Sequence, residues 1–106
     1  MKKYTVNFKG TPCNIIFGKY HNNQRVSIQL YEQATGEPFM TASVNMPNEH
    51  LSKDMVCIKD YSENEGILDA LINEHIILPL DLIQSGIMKC MLIIPSSDYQ
   101  QADENK

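Results

Sequence analysis

The first half of the chain alternates between apolar and polar residues with the two-residue period of a half-buried strand. In segment 4–8, Tyr4, Val6 and Phe8 share one face, which predicts a strand with one side on a core. The same period recurs over residues 13–20, 25–33 and 39–46. Short turns rich in Gly, Asn and Pro separate these segments, so we predict an antiparallel meander of four strands.

A strand that leads directly into a capped helix is predicted at 54–71, and the rest of the chain is organised around it. The strand occupies 55–59, and Ser62 with Glu65 three residues later matches the capping-box pattern. Ser62 would accept a hydrogen bond from the Glu65 backbone N–H, and the Glu65 carboxylate would accept one from the Ser62 N–H. An apolar stripe follows at helical spacing: Ile67, Leu68, Leu71, Ile72 and His75.

The last third of the chain has a mixed pattern. Residues 79–83 are ambiguous, and a short helical turn ended by Gly86 is one interpretation. Residues 87–94 form the most apolar run and predict a final strand, whereas the polar residues 96–106 predict a flexible tail. The sequence therefore predicts a single α+β domain over residues 1–95. Its twisted antiparallel sheet would have about five or six strands, with one main helix packed on a face.

The charge balance of the chain limits the classes of partner that it would bind. Thirteen Asp and Glu residues against nine Lys and Arg give a formal net charge of −4. Phosphate binding rests on Lys and Arg, so direct nucleic-acid binding is disfavoured, while the basic surface of another protein would suit this charge. We expect a cytoplasmic protein, because the start of the chain lacks a signal-peptide pattern and no apolar run reaches the ~20 residues that span a bilayer.

No group of residues has the spacing of a catalytic or metal site. Cys13, Cys57 and Cys90 lie far apart in apolar runs, which predicts buried free thiols. The three histidines stand at no metal-ligand spacing, so we expect no metal, no cofactor and no enzymatic activity. One acidic group admits two interpretations, a helix cap with a solvated face or an acid/base or magnesium site, and we favour the cap: Asp60, Glu63, Glu65 and Asp69.

Contact with another protein is the remaining role for the exposed side chains. Tyrosines anchor many protein interfaces, and an acidic helix start suits a basic partner. The predicted contact residues are Tyr20, Tyr31, Tyr61, Glu63, Asn64, Glu65 and Asp69. The six methionines are explained either by core filling or by an adaptable contact surface.

Several segments resemble a family of small bacterial proteins of uncharacterised function that occur on phages, plasmids and conjugative elements. The resemblance runs over residues 15–95 and includes Gly18-Lys19-Tyr20, Ser27-Ile28-Gln29-Leu30, Gly36-Glu37-Pro38, Thr41 to Pro47 and Val56 to Gly66. It carries no catalytic residues and implies an accessory protein of a mobile element. By analogy of size and charge, we expect a non-enzymatic, anti-CRISPR-type inhibitor that binds a host RNA-guided nuclease. The alternative is a homodimeric accessory or regulatory protein of the element.

Overall fold

The structure, a computed structural model, describes residues 3–100. Its regular elements within that range are β1 Tyr4–Phe8, β2 Thr11–Lys19, β3 Val26–Glu32, β4 Pro38–Thr41, β5 Met55–Lys59, α1 Ile67–Asn73, β6 Ile77–Gln84 and β7 Ile87–Leu92. Short 3-10 helices occupy Ser62–Asn64 and Ser96–Asp98. The α+β class is confirmed, but the single sheet of five or six strands is wrong. The described strands form two antiparallel sheets, ordered β1-β2-β3-β4 and β5-β7-β6.

The predicted fourth strand, 39–46, is divided between the two sheets. Its first part pairs with β3 as β4, and the chain then crosses to β5. At the crossing, the Ala42 N–H donates to the Ile28 oxygen at 2.9 Å, and the Ala42 oxygen accepts from the Lys59 N–H at 2.9 Å. The Val44 N–H then donates to the Cys57 oxygen at 2.9 Å. These bonds join the two sheets through one short stretch of backbone.

The helical turn considered for 79–83 is wrong, because these residues belong to β6. This strand pairs with β7 through a tight turn at 85–86 and lies at the edge of its sheet. Pro79 has no N–H to donate, and an edge strand is the place in a sheet where proline is tolerated. β7 lies between β5 and β6, which explains why it carries the most apolar run of the chain.

The core is formed by the inward faces of both sheets and by α1. The period-two prediction is confirmed for β1 to β3, where alternate residues such as Val6, Phe8 and Leu30 are buried. Ile67 and Leu71 of the predicted helical stripe are fully buried, whereas His75 is exposed beyond the end of α1. All three cysteines are free and buried, as predicted.

The chain after β7 packs against the body of the protein as far as residue 100. Tyr99 is only 1% exposed and packs with the core, and its hydroxyl donates to Asp54 Oδ1 at 2.6 Å. The Gln100 side chain donates to the Lys53 carbonyl at 3.0 Å. Residues 96–100 are therefore part of the packed domain, and 101–106 of the predicted tail lie outside the described residues. Between residues 3 and 100, no helix has the length and apolar character needed to cross a bilayer.

Candidate protein-binding surfaces

The start of α1 is capped by Asp60, and the predicted capping box is wrong. Asp60 Oδ1 accepts hydrogen bonds from the Gly66 N–H at 2.9 Å and the Leu68 N–H at 3.0 Å. A 3-10 helix begins at Ser62, so the α-helix starts five residues later than the predicted cap. The Ser62 and Glu65 side chains make no capping bond to α1, and Glu65 is exposed. Glu65 is therefore available for contacts outside the helix.

An open groove of about 400 Å³ lies between β1 and α1. β1 is an edge strand, so one side of its backbone has no neighbouring strand among the described residues. The helix side carries three exposed carboxylates, from Glu65, Asp69 and Glu74. Lys9 closes one end, where its Nζ donates to the Glu63 carbonyl at 2.9 Å. The groove thus places hydrogen-bonding backbone opposite a row of negative charges.

Glu63 lies outside this groove beside a local cation. Its Oε1 is 3.4 Å from Lys59 Nζ; the Glu63 side chain is exposed, and the Lys59 side chain is half-buried. The pKa of Glu63 is lowered, first by a hydrogen bond from its own backbone N–H and then by Lys59. Lys59 Nζ also lies 5.0 Å from the ring centroid of Tyr61, which is 44% exposed. Part of the Glu63 charge is therefore balanced within the chain.

The structure does not bring the other predicted contact residues onto one surface. Asn64 is only 2% exposed, and its Nδ2 donates to the Thr41 carbonyl at 2.8 Å, so it holds its loop to β4 instead of facing a partner. The Tyr20 hydroxyl is tied to Ser43 Oγ at 2.9 Å. Tyr31, which bonds Gln29 Oε1 at 3.3 Å, lies at the other end of the β2–β3 pair. Only Tyr61, Glu63, Glu65 and Asp69 lie along one exposed segment.

A second exposed surface, on β6, was missed by the sequence analysis. Leu78, Leu80 and Leu82, which we call the leucine edge, are 50%, 44% and 60% exposed. The alternating sequence Leu-Pro-Leu-Asp-Leu carries the signal, because it has strand periodicity. Because the sequence analysis considered a helical turn at 79–83, it did not assign these leucines to a strand at a sheet edge.

The structure offers no unpaired buried polar side chain and no cluster of metal-ligand residues within its described part. No buried side-chain nitrogen or oxygen between residues 3 and 100 lacks a partner, and no group of three His, Cys, Asp or Glu residues there could hold a metal ion. Burial raises the pKa of Cys90 to about 12 and also raises the pKa of Cys13 and Cys57. These thiols stay protonated at neutral pH, and the protonated form is a poor nucleophile.

Comparison of the chain with protein-family models, with curated proteins and with solved structures finds no match. The described residues define a small α+β protein with an acidic groove between β1 and α1 and with exposed leucines on the edge strand β6.

Proposed function

We propose that this protein is a non-enzymatic binding protein that holds a basic segment of a protein partner in its acidic groove. The observation that carries the proposal is the placement of Thr5 to Phe8 of β1, beside which residues 3–100 supply no further strand on the side away from β2, opposite the carboxylates of Glu65, Asp69 and Glu74. An extended segment that joins a sheet edge gains main-chain hydrogen bonds, and neighbouring side chains then select its sequence.

The hairpin at the end of β1 determines which backbone groups face the groove. Lys9 and Gly10 both have positive φ, 52° and 80°, as a two-residue type I′ turn requires. The residues that flank such a turn, Phe8 and Thr11, form a hydrogen-bonded pair, and the pattern then alternates along the ladder. Asn7 and Thr5 therefore direct their N–H and C=O groups away from β2, where an added strand would pair with them.

Charge selects the side chains of such a segment. Lys and Arg side chains on the added strand would reach the carboxylates on the wall formed by α1, and charge-assisted hydrogen bonds are stronger than neutral ones. A single exposed ion pair contributes only about 0.2–1 kcal/mol, so the three carboxylates must act together with the main-chain bonds. A basic, extended partner segment fits both requirements.

The partner that we propose is a bacterial defence nuclease of the RNA-guided class, bound in the cytoplasm by an accessory protein of a mobile element. Such a nuclease has a basic channel for nucleic acid, since phosphate binding rests on Lys and Arg. An acidic protein of net charge −4 that occupies the channel would exclude the nucleic acid without any chemistry of its own. This is an anti-CRISPR-type mode of inhibition.

The experiment has two stages. Tagged protein first captures partners from nuclease-treated bacterial lysate, and mass spectrometry identifies them. The purified nuclease then cleaves a target DNA with increasing amounts of wild-type protein, of Asp69→Lys, or of Glu37→Lys as the control. Glu37 is exposed in the β3–β4 turn and does not line the groove, which makes it a control for position. Both variants replace a carboxylate by lysine, so they change the net charge equally. Thermal melting checks that Asp69→Lys remains folded.

The proposal predicts that wild-type protein and Glu37→Lys inhibit cleavage, while Asp69→Lys inhibits at least tenfold less well. Equal inhibition by both variants would reject the groove as the contact surface. Failure of the wild-type protein to inhibit any captured nuclease would reject the inhibitor function itself.

The second candidate function is a homodimeric accessory or regulatory protein of the element. The exposed leucines of β6 favour it, because half-exposed aliphatic side chains on an edge strand are groups that proteins normally cover.

A further inference from the structure

We infer that the acidic groove selects an extended segment in which Lys or Arg occurs at every second position, with uncharged residues between. The inference rests on the proposed function and deepens it, because it names the sequence pattern of the basic segment that the groove would hold. It does not depend on which protein supplies that segment, so peptides can test it apart from the nuclease.

The two faces of β1 determine where the side chains of an added strand would point. Val6 and Phe8 are each 4% exposed and face the core. Thr5 and Asn7 are exposed on the outer face. Gly66, just before α1, lies on the inner side, because a Cβ there would be 3.6 Å from Phe8 Cε1. Residues directly opposite one another on neighbouring strands share a face, so every second side chain of an added strand would point to the α1 side.

The α1 side of the groove supplies carboxylates at a spacing that matches these side chains. Glu65, Asp69 and Glu74 are exposed and line this side. Asp69 lies in α1 and Glu74 caps its end, and residues five positions apart on a helix are separated by about 7.5 Å along its axis. Alternate residues of a strand are about 6.8 Å apart. A basic residue at every second position would therefore meet successive carboxylates, and the flexible Lys and Arg side chains accommodate the small difference.

The outer face of the β1–β2 pair beside the groove is formed by uncharged residues. Thr5 pairs with Asn14, and Asn7 pairs with Pro12. A lysine of the added strand on this face would meet no carboxylate from these four residues, whereas a residue such as threonine favours the extended conformation. A block of adjacent basic residues would place about half of its charges on this uncharged face. Alternation of basic and uncharged residues therefore uses the groove better than a block of the same charge.

Two synthetic peptides of identical composition test the pattern on the full chain. In the first peptide, three lysines alternate with four threonines, and in the second the three lysines are adjacent at the centre. Isothermal titration calorimetry at low salt, where exposed charges are least screened, measures both dissociation constants. We expect the alternating peptide to bind at least fivefold more tightly, because the two peptides have equal length and charge and differ only in the order of their residues.

Amide hydrogen exchange reports whether the bound peptide adds to the edge of β1. The N–H groups of Thr5 and Asn7 point away from β2, so a saturating amount of the alternating peptide should slow their exchange at least tenfold. Val6 and Phe8 are the internal controls, because their N–H groups already bond to β2 and the peptide should change their exchange less.

A matched pair of protein variants locates the charges that the peptide meets. Asp69→Asn removes one carboxylate from the groove, and Glu37→Gln removes one from the β3–β4 turn, outside the groove. We expect Asp69→Asn to weaken binding of the alternating peptide at least threefold and Glu37→Gln to leave it unchanged. Thermal melting checks that both variants remain folded.

Equal affinity for the two peptides would overturn the alternating pattern, and so would unchanged exchange at Thr5 and Asn7. Either result would leave the groove as an unselective site for basic segments, and the proposed function would stand. Binding of neither peptide would overturn the inference and the groove together. Tight binding of the alternating peptide with no inhibition of any captured nuclease would support the inference and reject the inhibitor function alone.

Discussion

The hydroxyl of Tyr99 donates a hydrogen bond of 2.6 Å to Asp54 Oδ1, which ties the end of the described chain to the residue before β5. The Tyr99 ring is 1% exposed and lies 6.3 Å from the Phe17 ring, centroid to centroid. This side chain therefore belongs to the core of the domain.

Truncation of Tyr99 is predicted to destabilise the whole domain. Tyr99→Ala should lower the free energy of unfolding by about 3–5 kcal/mol, the usual cost of removing a large buried aromatic ring. Tyr99→Phe keeps the ring and loses only the bond to Asp54, so its cost should be about 1 kcal/mol. Urea denaturation measures both values, with Tyr31→Phe as a surface control. A wild-type urea midpoint for Tyr99→Ala would show that the C-terminal turn does not pack on the core.

Alkaline pH is predicted to lower the free energy of unfolding through the hydroxyls of Tyr4 and Tyr99. Burial first, and the hydrogen bond to Asp98 second, raise the pKa of Tyr4 to about 12, and burial and Asp54 raise the pKa of Tyr99. Below about pH 10, the ordinary tyrosine value, both hydroxyls are protonated in the folded and unfolded chains. Above it the unfolded chain loses protons that the folded chain retains, so stability falls as pH rises through this range.

Urea unfolding at pH values from neutral to 12 measures this alkaline loss of stability. The double variant Tyr4→Phe/Tyr99→Phe should be less stable than the wild type at neutral pH but should show a shallower fall between about pH 10 and 12. An identical alkaline slope in both proteins would contradict the assignment to these two hydroxyls.

The Asp60 cap of α1 yields a third prediction. Asp60→Ala removes the acceptor of the Gly66 and Leu68 N–H groups and should cost about 1 kcal/mol of unfolding free energy, the typical value of an N-cap. Glu65→Ala is the discriminating control, because a capping box would require that side chain. We expect Glu65→Ala to change stability by no more than about 0.5 kcal/mol. A larger loss for Glu65→Ala than for Asp60→Ala would restore the capping box.

Gly86 in the β6–β7 turn is predicted to be irreplaceable because of Tyr61. A Cβ on Gly86 would lie 2.5 Å from Tyr61 Cδ1, and the φ of +81° is itself unfavourable for a side chain. Gly36 has a similar φ of +76° and no atom within 4 Å of its Cβ position, so Gly36→Ala measures the backbone cost alone. That cost is about 1–2 kcal/mol. Gly86→Ala should cost more than Gly36→Ala by thermal or urea unfolding.

A double-mutant cycle isolates the contact with Tyr61. Adding Tyr61→Ala to Gly86→Ala should recover the excess cost over Gly36→Ala, because the ring that the new Cβ meets is gone. Additive effects of the two substitutions would mean that the ring moves aside freely, and the predicted constraint would then be absent.

Local sequence pattern was sufficient for β1, β2, β3 and β5 and for the inward face of the helix. The period of two predicted β1, β2 and β3, and β5 occurs at the predicted residues 55–59. The helical stripe predicted that Ile67 and Leu71 face the core. These features depend on whether residues two, three or four positions apart are apolar, and such residues are close together in the sequence.

The cap and β6 were beyond the reach of local pattern. Ser62 and Glu65 have the residue types of a capping box, but the chain between them forms a 3-10 helix, and Asp60 caps α1 instead. The segment 79–83 was ambiguous in the sequence, with a short helical turn as one interpretation, and pairing with β7 makes it a strand. In both cases a contact with another part of the backbone outweighs a weak local preference.

By itself, then, the sequence determined the α+β class, the faces of the first strands, the free buried thiols and the acidic character of the surface. Only the tertiary structure decided that residues 39–46 are shared between two sheets, that β1 and β6 are edge strands, and that Tyr99 enters the core. The acidic groove and the leucine edge exist because β1 and β6 are edge strands. The physical reason is that strand order and edges depend on pairing between residues far apart in the chain, which periodicity does not encode.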